Sequence, residues 1–295
     1  MKKIVSELVD LCQAIGSCPD LVQGGGGNIS VKDGDGQMYI KSSGCLLREV
    51  CEDFGYVGLE YQKVIAYYDG MADASYNLDL EDRAADYVAS LCAGSSAKPS
   101  MEAAMHAFLD RYVVHTHPVY LNAILCAEGG HLMVQELVKR IGSEATVEWV
   151  DFVTPGLSLG LKIRALSQPS YHKPLVSVFL LQNHGLLVSG DSSQQVIDYT
   201  KKINEVARDM LCERGIEDVF SFSPSAVDLV ISPKEDLFQV LFPDFAIYDS
   251  GEVASAHSFV LACISAYDAP HWISKGDIET LRAMSMEKYR KMLLS

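Results

Sequence analysis

The sequence has no C-x-x-C pair, no dense cysteine framework and no apolar run approaching the ~20 residues that span a bilayer. Its eight cysteines are scattered, the pattern of reduced thiols that pack rather than bridge, so a cytoplasmic location is expected and no membrane partner. The opening "MKKIVSELVDLCQAIG" has two lysines but lacks a leader's continuous apolar core. Glu7 and Asp10 interrupt it, and Ile4, Leu8 and Leu11 follow helical spacing. Basic residues are in short supply, with 24 Lys and Arg against 39 Asp and Glu, a net charge of −15. Such a chain repels a phosphate backbone, which argues against nucleic acid and for a small-molecule ligand, with room for one local basic patch. The 48% apolar and 21% charged content over 295 residues is that of a globular chain able to bury a sizeable core.

Glycine, by contrast, is concentrated. After a first helix ending near Gly16, "LVQGGGGNISVKDGDGQMYIKSSG" reads as a glycine-rich loop followed by a hairpin, and such a loop lets backbone N–H groups approach an anion. Residues 57–72 continue the strand-and-turn pattern, and "LDLEDRAADYVASL" predicts a helix. Ser100 is placed to cap the helix "MEAAMHAFLD". A β-branched strand with two histidines follows, then helices near 118–127 and 131–142, a strand at "TVEWVDFVTPG", a long apolar strand "LVSVFLLQNHGLLVSG" broken by Gly185, and a helix over 192–214. From about 216 the pattern becomes rich in proline and aromatics. This predicts a core domain over 1–215 and a C-terminal extension over 216–295 packed on it, in which Arg282, Lys288 and Arg290 form solvated salt bridges.

The histidine strand, "YVVHTHPVYL", raises the chemical question. Alternation puts His115 and His117 on one face and Val114 and Thr116 on the other. Two imidazoles side by side can grip one cation, or can be two histidines at a strand end. His184 adds a third imidazole at the end of another strand, against the alternative of a satisfied core histidine. Three protein ligands with an open position is the donor set of a catalytic zinc site, whereas a structural site closes with four. Glu102, in the first turn of its helix, is either a favourable charge at a helix N-terminus or a general acid/base beside the metal. His106, one turn on, reads as a supporting or packing residue.

The segments "GGGGNISVK", "YIKSSG", "KPSMEAAMHAFL", "VVHTHP" and "FLLQNHGLLVSG", in that order, resemble the class II aldolase/adducin family of metal-dependent sugar aldolases. The wording "PDLVQGGGGNISVK" and the final "MEKYRK" are most similar to the aldolase portion of rhamnulose-type aldolases fused to a short-chain dehydrogenase, and the sequence ends before any dehydrogenase part is expected. The resemblance covers residues 1–212 well and the rest weakly. It implies an α/β fold with a central, mostly antiparallel sheet flanked by helices, and a homo-oligomer, often a tetramer. It further implies that His115, His117 and His184 bind one Zn2+ per subunit, with Mn2+, Co2+ or Ni2+ also permitted by the ligand set. Glu102 would be the catalytic acid/base, and Gly27, Asn28, Ser43, Gly44 and Ser100 would surround a phosphate or the equivalent end of a sugar substrate. Met101 departs from the family pattern, which has a second serine beside Ser100. The implied activity is that of a carbon-carbon lyase, cleaving or forming a ketose, with a ketose phosphate as the expected form, through a metal-stabilised enediolate. Alternatives are an epimerase, dehydratase or decarboxylase on the same site, or a non-catalytic adducin-like interaction module.

Overall fold

The computed structural model describes residues 2–71, 76–92, 97–167, 175–216, 222, 239–247 and 250–294. Its centre is a seven-stranded sheet in the order β3-β2-β1-β4-β7-β6-β5. The strands are β1 (Asn28–Lys32), β2 (Gln37–Lys41), β3 (Tyr56–Glu60), β4 (Tyr112–Thr116), β5 (Ala145–Val150), β6 (Val176–Leu181) and β7 (Gly185–Gly190). Every neighbouring pair is antiparallel except β5 with β6. The sheet is thus mostly antiparallel and helix-flanked, as the resemblance implies.

Alternation on the central strands assigns the two faces. Ile29 and Val31 of β1, Val114 of β4 and Leu186 and Val188 of β7 face one apolar layer. That layer is built from α1 (Lys2–Gly16), α5 (Val119–Leu125), α6 (Gly130–Ile141), α8 (Ser193–Cys212) and α10 (Gly251–Ser265). On the other face, Val113 and Leu187 pack with Met105 of α4 (Ala103–Ala107) and Leu159 and Ile163 of α7 (Leu157–Leu166). Towards the β3 edge that face is covered by α2 (Tyr61–Asp69) and α3 (Leu78–Ser90). Because both faces are covered, β1, β4 and β7 are buried along their whole length. A polar side chain on them must therefore find a partner inside the protein.

Three local expectations change. Residues 61–69 form a helix, because Val64 and Tyr68, one turn apart, both bury against the β2–β3 end of the sheet. Helix α4 is only five residues long and its N-cap is Glu102. Ser100 instead opens the preceding turn, its carbonyl accepting from Ala103 N at 3.0 Å and its Oγ from Glu102 N at 3.3 Å. At the other end of α4, Lys32 Nζ donates to the carbonyls of His106 at 2.6 Å, Leu109 and Asp110 at 3.0 Å, which stops the helix. The long apolar strand over 175–190 is a hairpin, β6 to β7, whose turn is Gln182 to His184.

The remaining helices, α9 (Pro243–Ile247), α10, α11 (Lys275–Ala283) and α12 (Ser285–Leu294), follow the sheet in sequence. Most of the proline-rich stretch from 217 lies outside the described residues. Leu241, Phe242, Val253, Phe259 and Val260 join the same apolar layer as Tyr120, Leu121 and Ile124 of α5. A polar clasp reinforces this at the β6–β7 turn. Asn183 has φ +51°, and its Nδ2 donates to Leu241 O at 2.8 Å and His271 O at 2.6 Å, while its Oδ1 meets His271 Nδ1 at 2.6 Å. Asn183→Ala removes these bonds and leaves alanine in a left-handed conformation, so chemical denaturation is expected to show a loss of about 3 kcal/mol. Asn183→Gly relieves the backbone cost and should recover roughly 1 kcal/mol of it.

Candidate metal centre and substrate site

Strand β4 runs between β1 and β7, with His115 opposite Asn28 on one side and Leu187 on the other. His117 lies one residue past the end of β4, and His184 one residue before the start of β7. The sheet register therefore delivers the three histidines to one point. Their ligand nitrogens all lie within 4.8 Å of one another, and all three residues are buried.

The ring orientations follow from what each Nδ1 meets. His115 Nδ1 is 3.0 Å from Leu186 O, and a carbonyl can only accept, so this nitrogen carries the proton. His117 Nδ1 is 2.7 Å from Asp244 Oδ2. Burial pushes the Asp244 carboxyl up, but its hydrogen bond with His117 and the Arg290 guanidinium beside it hold it low, so this carboxylate accepts as well. Both Nε2 atoms then present lone pairs, 3.1 Å apart. Burial drives His115 well below the usual histidine range, partly offset by Glu102, which keeps that ring neutral. Imidazole lone pairs that converge call for a shared electrophile, and nitrogens bound at about 2.0 to 2.1 Å to a tetrahedral ion would be roughly 3.3 Å apart. The three-imidazole donor set fits a divalent ion, and the 3.1 Å between the Nε2 atoms of His115 and His117 is close to that spacing.

Glu102 closes the group from the mouth of α4. Its Oε1 is 3.2 Å from His184 Nε2 and its Oε2 is 3.5 Å from His115 Nε2. Asn28 Nδ2 donates to Oε2 at 2.8 Å. Burial pushes the Glu102 carboxyl up, while the Asn28 amide donating to Oε2 favours its charged form. Asn28 Oδ1 is buried without a hydrogen-bond partner, an acceptor left over beside the histidine group. His106 stands behind this shell. Its Nδ1 meets Ser30 Oγ at 2.8 Å and burial depresses it to about 3, so it packs, as its place in the sequence suggests.

The predicted substrate-binding residues fall on three segments tied together. Gly27 has φ +67°, and a side chain there would strike His115 O, so only glycine brings the loop this close to β4. Lys41 Nζ donates to Gly25 O at 3.2 Å, joining the end of β2 to the glycine loop. Ser43 N donates to Lys98 O at 2.9 Å and Ser100 N to Lys41 O at 3.3 Å, joining β2 to the segment before Glu102. Gly44 packs against Leu293 of α12. Among the described residues no hydrogen bond links Ser43, Gly44 or Ser100 to the three imidazoles.

Lys41, Asp244 and Arg290 were not singled out from the sequence as part of this place. Lys41 had a signal, a lysine ending an apolar strand between two glycine-containing loops. Asp244 had none, lying 127 residues from His117. Arg290, expected in solvated salt bridges, has a side chain only 14% exposed, and its Nη2 reaches Asp244 Oδ1 at 3.3 Å and donates to Gly25 O at 2.9 Å. Amphipathic spacing does not reveal that a terminal helix turns a basic residue inward.

The model of the class II aldolase and adducin N-terminal domain matches residues 6–211. The chain belongs to that family. A solved structure of the N-terminal class II aldolase domain of a conserved protein from Thermoplasma acidophilum is 27% identical. It covers 70% of this chain and 93% of its own, with a TM-score of 0.58. A sugar-phosphate aldolase from Thermotoga maritima shares the fold, with a TM-score of 0.53 at 18% identity over 74% of this chain and 97% of its own. An uncharacterized oxidoreductase of Bacillus subtilis (strain 168) is 28% identical over 225 residues, 72% of this chain and 30% of the relative. A 3-oxo-tetronate 4-phosphate decarboxylase of Haemophilus influenzae is 25% identical over 197 residues, 63% of this chain and 76% of the relative. The chain thus spans under a third of the Bacillus relative. Among the described residues no helix is long and apolar enough to cross a membrane.

Burial, and next the nearby Arg290, lower Lys41 to about 8. Its charge is therefore lost as pH rises through about 8. The KM for an anionic substrate is expected to climb over that range, and Lys41→Met to raise KM at pH 7 and flatten the climb, as steady-state kinetics from pH 6.5 to 9.5 would measure.

Proposed function

We propose that this chain is a metal-dependent carbon-carbon lyase acting on a ketose, with a ketose phosphate as the first substrate class to try. The observation that carries the reading is the buried group of three imidazole Nε2 atoms with the Glu102 carboxylate against them. His115, His117 and His184 would hold one divalent ion, with Zn2+ the first choice. Bound there, such an ion would supply Lewis acidity to a substrate carbonyl and so lower the cost of breaking the carbon-carbon bond one position removed from it.

The chain's own residues do the rest. Glu102 moves the proton at the donor carbon, its Oε2 oriented by the Asn28 amide 2.8 Å away. Gly27, Asn28, Ser43, Gly44 and Ser100 hold the far end of the substrate, with Lys41 adding positive charge to that wall in an otherwise acidic protein. Met101 brings no hydroxyl, so an anionic group there would depend more on Lys41. Burial around the histidines excludes water from the reacting carbons.

A second reading has a specific observation behind it: two of the curated relatives are 3-oxo-tetronate 4-phosphate decarboxylases. Loss of carbon dioxide from a 3-oxo acid leaves the same kind of enolate as aldol cleavage, so the same residues serve both. We also read residues 1–215 as the catalytic domain and 216–295 as an extension packed on it, the assembly as a homotetramer and the location as cytoplasmic.

The test is incubation of the metal-loaded protein with ketoses, ketose phosphates and a 3-oxo-4-phosphate sugar acid, reading three-carbon ketone, carbon dioxide and epimer separately. Metal-dependent release of a three-carbon fragment is expected, with Glu102→Gln lowering kcat by about 10² to 10⁴ while metal is retained. Carbon dioxide alone would select the decarboxylase reading, epimer alone would remove the lyase assignment, and no turnover would favour a non-catalytic module.

A further inference from the structure

Two of the three histidines have a visible anchor for Nδ1, and the two anchors are of different kinds. His115 is inside the ladder, and its Nδ1 uses the carbonyl of Leu186 on the adjacent strand. His117 lies beyond the last paired residue of β4, outside the ladder that serves His115. Its backbone N–H goes to Leu21 O at 3.0 Å, which fixes the main chain and says nothing of the ring's orientation. The acceptor for its Nδ1 comes from α9, well past the last residue matched by the family model, residue 211.

We propose that Asp244 is a positioning residue for His117, accepting the Nδ1 proton and so fixing the ring with Nε2 toward the point shared with His115 and His184. The inference rests on the reading of those three residues as metal ligands. Asp244 and His117 are each only 4% exposed and 2.7 Å apart, so no water competes for either atom. A charged acceptor on the far nitrogen also makes the metal-facing nitrogen a stronger donor.

The surrounding chain is shaped to this pair. A side chain at Gly26 would strike both Asp244 Oδ2 and His117 Nδ1, so the glycine loop closes over the bond itself. Asp244 Oδ1 is in turn held by Arg290 Nη2 at 3.3 Å, which also donates to Gly25 O at 2.9 Å. Helix α12 thereby ties α9 to the glycine loop, and the clasp at Asn183 ties Leu241 and His271 to the turn that carries His184. The segment after the family domain therefore supports two of the three histidines, one at its imidazole and one at its turn.

The experiment measures Zn2+ affinity of the full chain by chelator competition, and the visible absorption of the Co2+-loaded protein, for wild type, Asp244→Ala and Asp244→Asn. Asp244→Ala is expected to bind Zn2+ about 10- to 100-fold more weakly, with an altered Co2+ band. Asp244→Asn, which keeps a neutral acceptor, should recover part of the loss. Wild-type affinity and an unchanged Co2+ band in Asp244→Ala would overturn the inference while leaving the metal reading intact. A wild type that binds no metal would remove both. Should the variants not fold, ¹⁵N-histidine NMR of the zinc-loaded wild type carries the test. A slowly exchanging proton on His117 Nδ1 is expected, and a bare Nδ1 would overturn the assignment.

Discussion

Everything near the centre of this molecule follows from one constraint: three imidazoles are buried with their Nε2 atoms turned toward one another. Nitrogen lone pairs in that arrangement repel unless something electrophilic lies between them, and burial denies them water as an alternative. The fold tolerates this because the place of each histidine, and the ring orientation of His115 and His117, is imposed from outside. The antiparallel register sets His115 beside Asn28 and Leu187, the β6–β7 turn sets His184, and Asp244 meets His117. The layers of helices on both faces then keep the group dry.

An acidic chain that collects cations at one place is a second feature of the same design. With a net charge of −15, the protein nonetheless brings Lys41 and Arg290 to a single carbonyl, Gly25 O. Two nearly buried cations converging on one backbone oxygen raise the local potential beside the glycine loop, where a substrate anion would be received. Asp244 balances Arg290 on the side toward His117, so the positive wall and the imidazole cluster meet at one ion pair. Lys32 shows the contrasting use of a buried lysine, as its charge caps the carbonyls at the end of α4.

Much of this was legible in the sequence because it is local. Alternation in "YVVHTHP" placed His115 and His117 on one face, and the glycine loop with its hairpin appears where the four glycines and the D-G-D-G turn suggested. The family resemblance carried the mostly antiparallel sheet, which periodicity alone could not supply. What was missed is non-local or locally ambiguous. The helix at 61–69 is decided by burial of Val64 and Tyr68 against the sheet, and the hairpin at 182–184 by an asparagine whose partners are 58 and 88 residues away. Asp244 and Arg290 could not have been found, since nothing in "FPDFAI" or "MEKYRK" states which strand end those side chains will meet.

The account stands or falls on whether the imidazole cluster holds an ion. The most direct measurement is the metal content of the purified protein by mass spectrometry, with wild type compared against His115→Ala/His117→Ala after equilibration with excess Zn2+ and desalting. About one ion per chain in wild type and none in the variant is the expected result. Wild type free of metal, or a variant that retains it, would contradict the account and leave the histidines as packing groups of the sheet.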